Sequence, residues 1–131
     1  MKPLNIPALR ELIELYESTT LEEITEVWKK HGIITPEHII GISCADRCKL
    51  CCSLVEFFPK KKKKDWRTLC KHCVHTHSGL KRPEGARNGA PCTFHETYAN
   101  VASAINPETA KQSFSKRAAY LRTLLKKVNA L

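Results

Sequence analysis

Apolar residues recur at helical spacing at both ends of the chain, and the middle breaks that rhythm. Leu9, Leu12, Ile13 and Tyr16 keep the i, i+3, i+4, i+7 spacing of one buried face. They predict an amphipathic helix over 7–17, with Pro7 at its first position. Thr20 and Glu23 make the S/T-x-x-E pattern of a capping box and open a second helix. Its apolar face is Leu21, Ile24, Val27 and Trp28; Lys29, Lys30 and His31 suit its C-terminal end, and Gly32 can end it. Thr35, Pro36 and Glu37 can start one short helical turn that Gly41 closes. Near the C-terminus, Thr93 and Glu96 form a further capping box, with Phe94, Tyr98, Val101 and Ile105 on one face of the helix it opens. Asn106 and Pro107 end that helix and begin the last one as its cap and first position. There Phe114, Ala118, Leu121, Leu125 and Val128 alternate by four and three residues, a narrow packing seam, and the charges between them predict a solvated face.

Between these helical ends the pattern shortens. Ser53 to Phe58 is strand-like, Pro59 to Asp65 is a polar turn, and Trp66 to Leu69 can return as a second strand. His72 to Ser78 reads as a short helix ending at Gly79. The stretch from Gly79 to Pro91 has no periodicity and is rich in Gly, Pro, Lys and Arg, which predicts an exposed loop.

Composition changes the picture of the middle most. Seven Cys and six His occur among 131 residues, a length suited to one domain. No apolar stretch approaches the roughly 18 residues of a membrane span, and the first residues lack an apolar signal segment. The expected setting is therefore cytoplasmic, where cysteines serve better as metal ligands than as disulfides. Charge is unevenly spread. Residues 1–43 hold four basic and seven acidic side chains, a net of −3, whereas residues 44–131 hold 18 and six, a net of +12. An excess of that size attracts a polyanion.

The cysteines supply the candidate chemistry. Cys48-Lys-Leu-Cys51 is followed, after 18 residues, by Cys70-Lys-His-Cys73. Two residues between cysteines let a tight turn present both sulfurs to one ion, and two such pairs complete a tetrahedral four-thiolate zinc site. A second zinc, built from Cys44, His75 or His77, Cys92 and His95, is the further possibility that the remaining ligands allow. The expected fold class is α+β but mainly α: a treble-clef zinc finger of knuckle, β-hairpin and short helix, packed with N- and C-terminal helices. The single domain 1–131 then divides into an acidic helical hairpin (1–43), a zinc finger (44–79), a basic loop (80–92) and two C-terminal helices (93–131).

Segment 48–79, with its two pairs and with Trp66 and Arg67 between them, resembles a GATA-type or other treble-clef zinc finger. The whole chain is similar to small zinc-binding proteins encoded by bacteriophages. The features are the helical start, the two pairs, Pro91-Cys92, Thr97-Tyr98 and the run from Arg117 through Tyr120 to Arg122. That resemblance implies a viral protein acting in the host cytoplasm.

A zinc ion held by four cysteines leaves no position for a reacting water, so the site is structural. An HNH-type nuclease also carries two such pairs, but its catalytic His lies between them, and no His occurs between Cys52 and Cys70. The chain also lacks the His-x-Glu of a zinc deaminase and the Gly-rich loop of a Walker site. No enzyme is expected; the remaining, disfavoured catalytic reading is an HNH-like nuclease with a metal held by His75 and His77. The basic residues point instead to phosphate contact through Lys60, Lys61, Lys62, Lys63 and Lys64 at the turn, Arg67, and Lys81, Arg82 and Arg87 in the loop. The expected partner is nucleic acid or a nucleic-acid-associated protein; the alternative is a phage effector that binds a host nucleic-acid enzyme. No membrane partner is expected.

Overall fold

In the computed structural model, residues 3–32, 43–44, 47–48, 50, 53–54, 72–78 and 95–129 are described, and the statements below concern these. Helix α1 (Ile6–Ser18) buries Ala8, Leu9, Leu12, Ile13 and Tyr16, the face its spacing predicts. Pro7 sits within its first turn. Helix α2 (Leu21–His31) starts at the expected capping box. The Thr20 hydroxyl accepts from Glu23 N–H at 3.1 Å, and the Glu23 carboxylate accepts from Thr20 N–H at 3.3 Å. It ends at Gly32, whose φ of +71° is the left-handed conformation that favours glycine. Of its expected apolar face only Ile24 is fully buried; Val27 and Trp28 are half-buried and Leu21 is exposed.

Two very short strands, β1 (Ser43–Cys44) and β2 (Arg47–Cys48), pair antiparallel with Ser43 opposite Cys48 and Cys44 opposite Arg47. Helix α3 (Val74–His77) follows Cys73 at its N-cap, α4 runs Glu96–Ala102, and α5 runs Pro107–Asn129. At 23 residues α5 is about 35 Å long, and α1, α2, α3 and α4 all pack against it. Its buried stripe is Ala110, Phe114, Arg117, Ala118, Leu121, Leu124 and Val128. The Tyr16 ring meets the Phe114 ring edge-on, 5.0 Å between centroids, at the centre of the α1–α5 contact. Lys111 pins the α1–α2 turn to α5 by donating to the Thr19 carbonyl at 2.7 Å. On the surface, Arg122 makes two hydrogen bonds to the Glu17 carboxylate, which hold that carboxyl below its ordinary range. No helix among the described residues is long and apolar enough to cross a membrane.

The treble-clef expectation is corrected here, and the mainly helical one stands. Ser53 and Leu54, expected to open a β-hairpin, are helical, and so is Leu50. Among the described residues the only strands are β1 and β2, which precede or end at the first cysteine of the first pair. The local reason is a contact over one turn: the Ser53 hydroxyl donates to the Leu50 carbonyl three residues back at 2.8 Å, which an extended chain does not allow, and Leu50 and Leu54 are both fully buried. The turn and return strand, 59–69, lie outside the described residues, as do 35–41 and the loop 79–91.

Two helix boundaries also shift. Helix α4 begins after His95, which caps it by accepting from Thr97 N–H, so Thr93 is not its cap. It ends at Ala102 with Ser103 as its C-cap, four residues before Pro107, and Ile105 beyond it is exposed instead of lying on the buried face. Asn106 does serve at the head of α5: its Oδ1 accepts from Thr109 N–H at 2.8 Å. On α5 itself, Leu124 and Arg117 are buried, whereas Leu125 is only half-buried.

Candidate functional site

The second cysteine pair meets the N-terminus of the chain. Leu4 N–H donates to the His72 carbonyl at 2.9 Å, which brings the segment before α1 alongside the one before α3. Asn5, 1% exposed, then occupies the N-cap position of α1 without using its side chain on that helix. Its Oδ1 accepts from Val74 N–H at 2.9 Å, and its Nδ2 donates to the Cys73 sulfur at 3.3 Å and to the Leu50 carbonyl at 3.2 Å. Leu50 lies between Cys48 and Cys51. One carboxamide therefore touches both cysteine motifs. The Cys73 sulfur is buried and takes part in no disulfide.

A second polar group lies where α3, α4 and α5 meet. Arg117 is 2% exposed, and among the described residues no carboxylate pairs with it. Its Nη1 donates to the Thr97 hydroxyl at 2.9 Å, and its guanidinium lies 5.5 Å from the Tyr120 ring centre and 5.7 Å from that of Tyr98. Both distances are within cation–π range. Thr97 passes the polarity on. Its oxygen lies 2.8 Å from His95 Nδ1, and its N–H donates to the same nitrogen at 3.2 Å. Because the Thr97 N–H donates to His95 Nδ1, that nitrogen accepts, so the Thr97 hydroxyl donates its proton to it and the neutral imidazole carries its own proton on Nε2.

The rings complete this cluster. His95 stacks on Tyr120 at 3.6 Å between centroids, and His75 lies nearly parallel to Tyr120 at 6.4 Å. Burial, reinforced by the charges of Arg117 and then His95, lowers the His75 pKa to about 3, so the ring is neutral. Neither of its nitrogens has a hydrogen-bond partner among the described residues. Burial and then Arg117 also lower His95, with Glu96 opposing them.

The sequence-predicted residues divide accordingly. Cys73 is in place at the α3 N-cap; Cys48 is described only as backbone in β2, and Cys51 and Cys70 lie outside the described residues. No group of three or more metal-ligating side chains comes together among the described residues. Of the second candidate set, Cys44 is described as backbone in β1, His77 as backbone in α3, and Cys92 lies outside. His75 and His95 are drawn to the same cluster through Tyr120. Lys60 to Lys64, Arg67, Lys81, Arg82 and Arg87 all lie outside the described residues. Arg117, expected on the solvated face, is instead interior. Asn5 carried no signal beyond being an Asn just before a helix start, where such residues ordinarily cap their own helix.

Comparison of the chain with protein-family models, with characterised proteins and with solved structures finds no match.

Proposed function

We propose that the protein is a non-catalytic, zinc-stabilised binder of nucleic acid. The observation that carries this reading is the charge distribution: 18 basic against six acidic side chains over 44–131, beside an acidic N-terminal segment. Lysines that neutralise phosphates release condensed counterions, which gives affinity without base recognition. The basic side chains assigned to contact are Lys60 to Lys64, Arg67, Lys81, Arg82 and Arg87. Lys116, Lys126 and Lys127 on α5 extend the same character; all three are exposed, and none joins an ion pair among the described residues.

Zinc enters this reading through Cys48, Cys51, Cys70 and Cys73. Two features support the assignment. Cys73 is a buried thiol that accepts an amide N–H, a contact suited to a thiolate, and the same amide holds the backbone of the first pair. Bound there, zinc would cross-link the two cysteine motifs, as structural zinc does in small domains. Four thiolates leave no open coordination position, so the metal's role is structural rather than catalytic.

The test is a titration of labelled DNA duplex and single-stranded RNA, each of random sequence, at two salt concentrations. Replacing Lys61, Lys62 and Lys63 together by Ala should weaken binding to both probes. The salt dependence should flatten by roughly one unit of log–log slope for each phosphate that the variant no longer neutralises. Unchanged affinity and slope would overturn the assignment of the lysines. A specific partner captured from lysate that survives nuclease treatment, with weak nucleic-acid binding by the pure protein, would replace this reading with that of a protein-binding effector.

A further inference from the structure

We infer that Asn5 is a positioning residue of the metal site: its carboxamide donates one hydrogen to the Cys73 sulfur and ties the two cysteine pairs to the N-terminus of α1. This rests on the zinc reading above and assigns a role to a residue 45 positions from Leu50 and 68 from Cys73.

The bonding inventory of the side chain leaves little freedom. A carboxamide has two N–H donors and one carbonyl oxygen. Both donors are used, on the Leu50 carbonyl and the Cys73 sulfur, and the oxygen is used on Val74 N–H. Flipping the amide would set its oxygen against the Leu50 carbonyl and its NH2 against Val74 N–H, two repulsive contacts, so the orientation is fixed. The side chain is also 1% exposed, so no water stands ready to replace a missing partner. An ordinary capping role explains part of this and no more. The Oδ1 contact satisfies the first N–H of α3, which Cys73 at the N-cap does not reach with its own side chain. The two Nδ2 contacts lie outside any cap, and they are the ones that face the ligand segments. Donation to a metal-bound sulfur draws off part of its charge and fixes its direction. Holding the Leu50 carbonyl keeps Leu50, which lies between Cys48 and Cys51 in the sequence, beside Cys73. Groups that orient ligands in this way typically contribute 10- to 100-fold to metal affinity.

Asn5→Asp separates the two roles. The carboxylate keeps an acceptor for Val74 N–H and removes both donors. Chelator competition on the full chain should show zinc affinity reduced by about 10- to 100-fold in Asn5→Asp. In the cobalt-substituted protein the sulfur-to-metal charge-transfer band should shift, while far-ultraviolet circular dichroism of the zinc-loaded protein stays that of the wild type. An Asn5→Asp protein that binds zinc as tightly as wild type with an unshifted band would reduce Asn5 to a helix cap and overturn the inference. A second measurement needs no variant: in wild type loaded with NMR-active cadmium, the Asn5 amide proton should show coupling to the metal through the Cys73 sulfur. Absence of that coupling in metal-loaded protein would also overturn it. A wild type that takes up none of the three metals would instead remove the zinc reading itself.

Discussion

Arg117 brings a positive charge into the interior with aromatic faces and a hydroxyl as its company, and its neighbours bear the consequence. Its charge adds to burial in lowering His75 and His95. Together with Thr97 it also keeps the His95 Nδ1 free to accept at the head of α4. Arg117→Met preserves most of the stem while removing the charge and the bond to Thr97. The His95 pKa should then rise toward its ordinary value of 6.5, because the second of its two lowering causes is gone. Ring-proton NMR titration of wild type and variant reads this directly; an unmoved His95 would mean that burial alone sets its pKa. Neither Arg117 nor Asn5 was legible as an interior residue in the sequence. A seam of Phe114, Ala118, Leu121, Leu125 and Val128 assumes one narrow contact, but four helices surround α5 and widen its buried stripe to include positions 117 and 124. Asn5 finds its side-chain partners far along the chain, where local pattern carries no information.

At the scale of elements, local chemistry was legible wherever it was sufficient. The Thr20–Glu23 box, the left-handed Gly32 and the Asn106 cap all lie where their residue types predict, because each motif is satisfied within four residues. The start of α4 was misplaced because Thr93 and Glu96 also fit a capping box, whereas His95, held by Thr97, takes the cap. The Ser53 strand failed for a related reason: a short apolar run does not distinguish strand from helix until its contacts are known, and here Ser53 bonds back to the Leu50 carbonyl while Leu54 is buried. The correction on α5 has a measurable consequence. Leu124 is 2% exposed and Leu125 is half-buried, so Leu124→Ala should cost about 2–5 kcal/mol and Leu125→Ala clearly less. Urea unfolding of the two variants, with equal slopes, checks the order; the reverse order would return the seam to the register that the sequence predicts.

Across the whole molecule, one apolar core joins the helices to the middle of the chain: Leu9, Leu12, Ile24, Phe114, Leu121 and Val128 share it with Leu50, Leu54 and Val74, which lie within or beside the two cysteine motifs. The cysteine spacing was the clearest functional signal in the sequence, because two residues between cysteines let one tight turn present both sulfurs to a single ion. What spacing does not reveal is how the pairs attach to the helices, and the contacts of Leu4 and Asn5 supply that link. If zinc orders the middle of the chain so that it presents its basic surface, the metal content of wild type and Cys70→Ser, purified without added metal, will show it. Elemental analysis should find one zinc per wild-type chain and none in Cys70→Ser, with protease cleavage of the variant confined to the middle of the chain. A stably folded wild type containing no zinc would contradict the account.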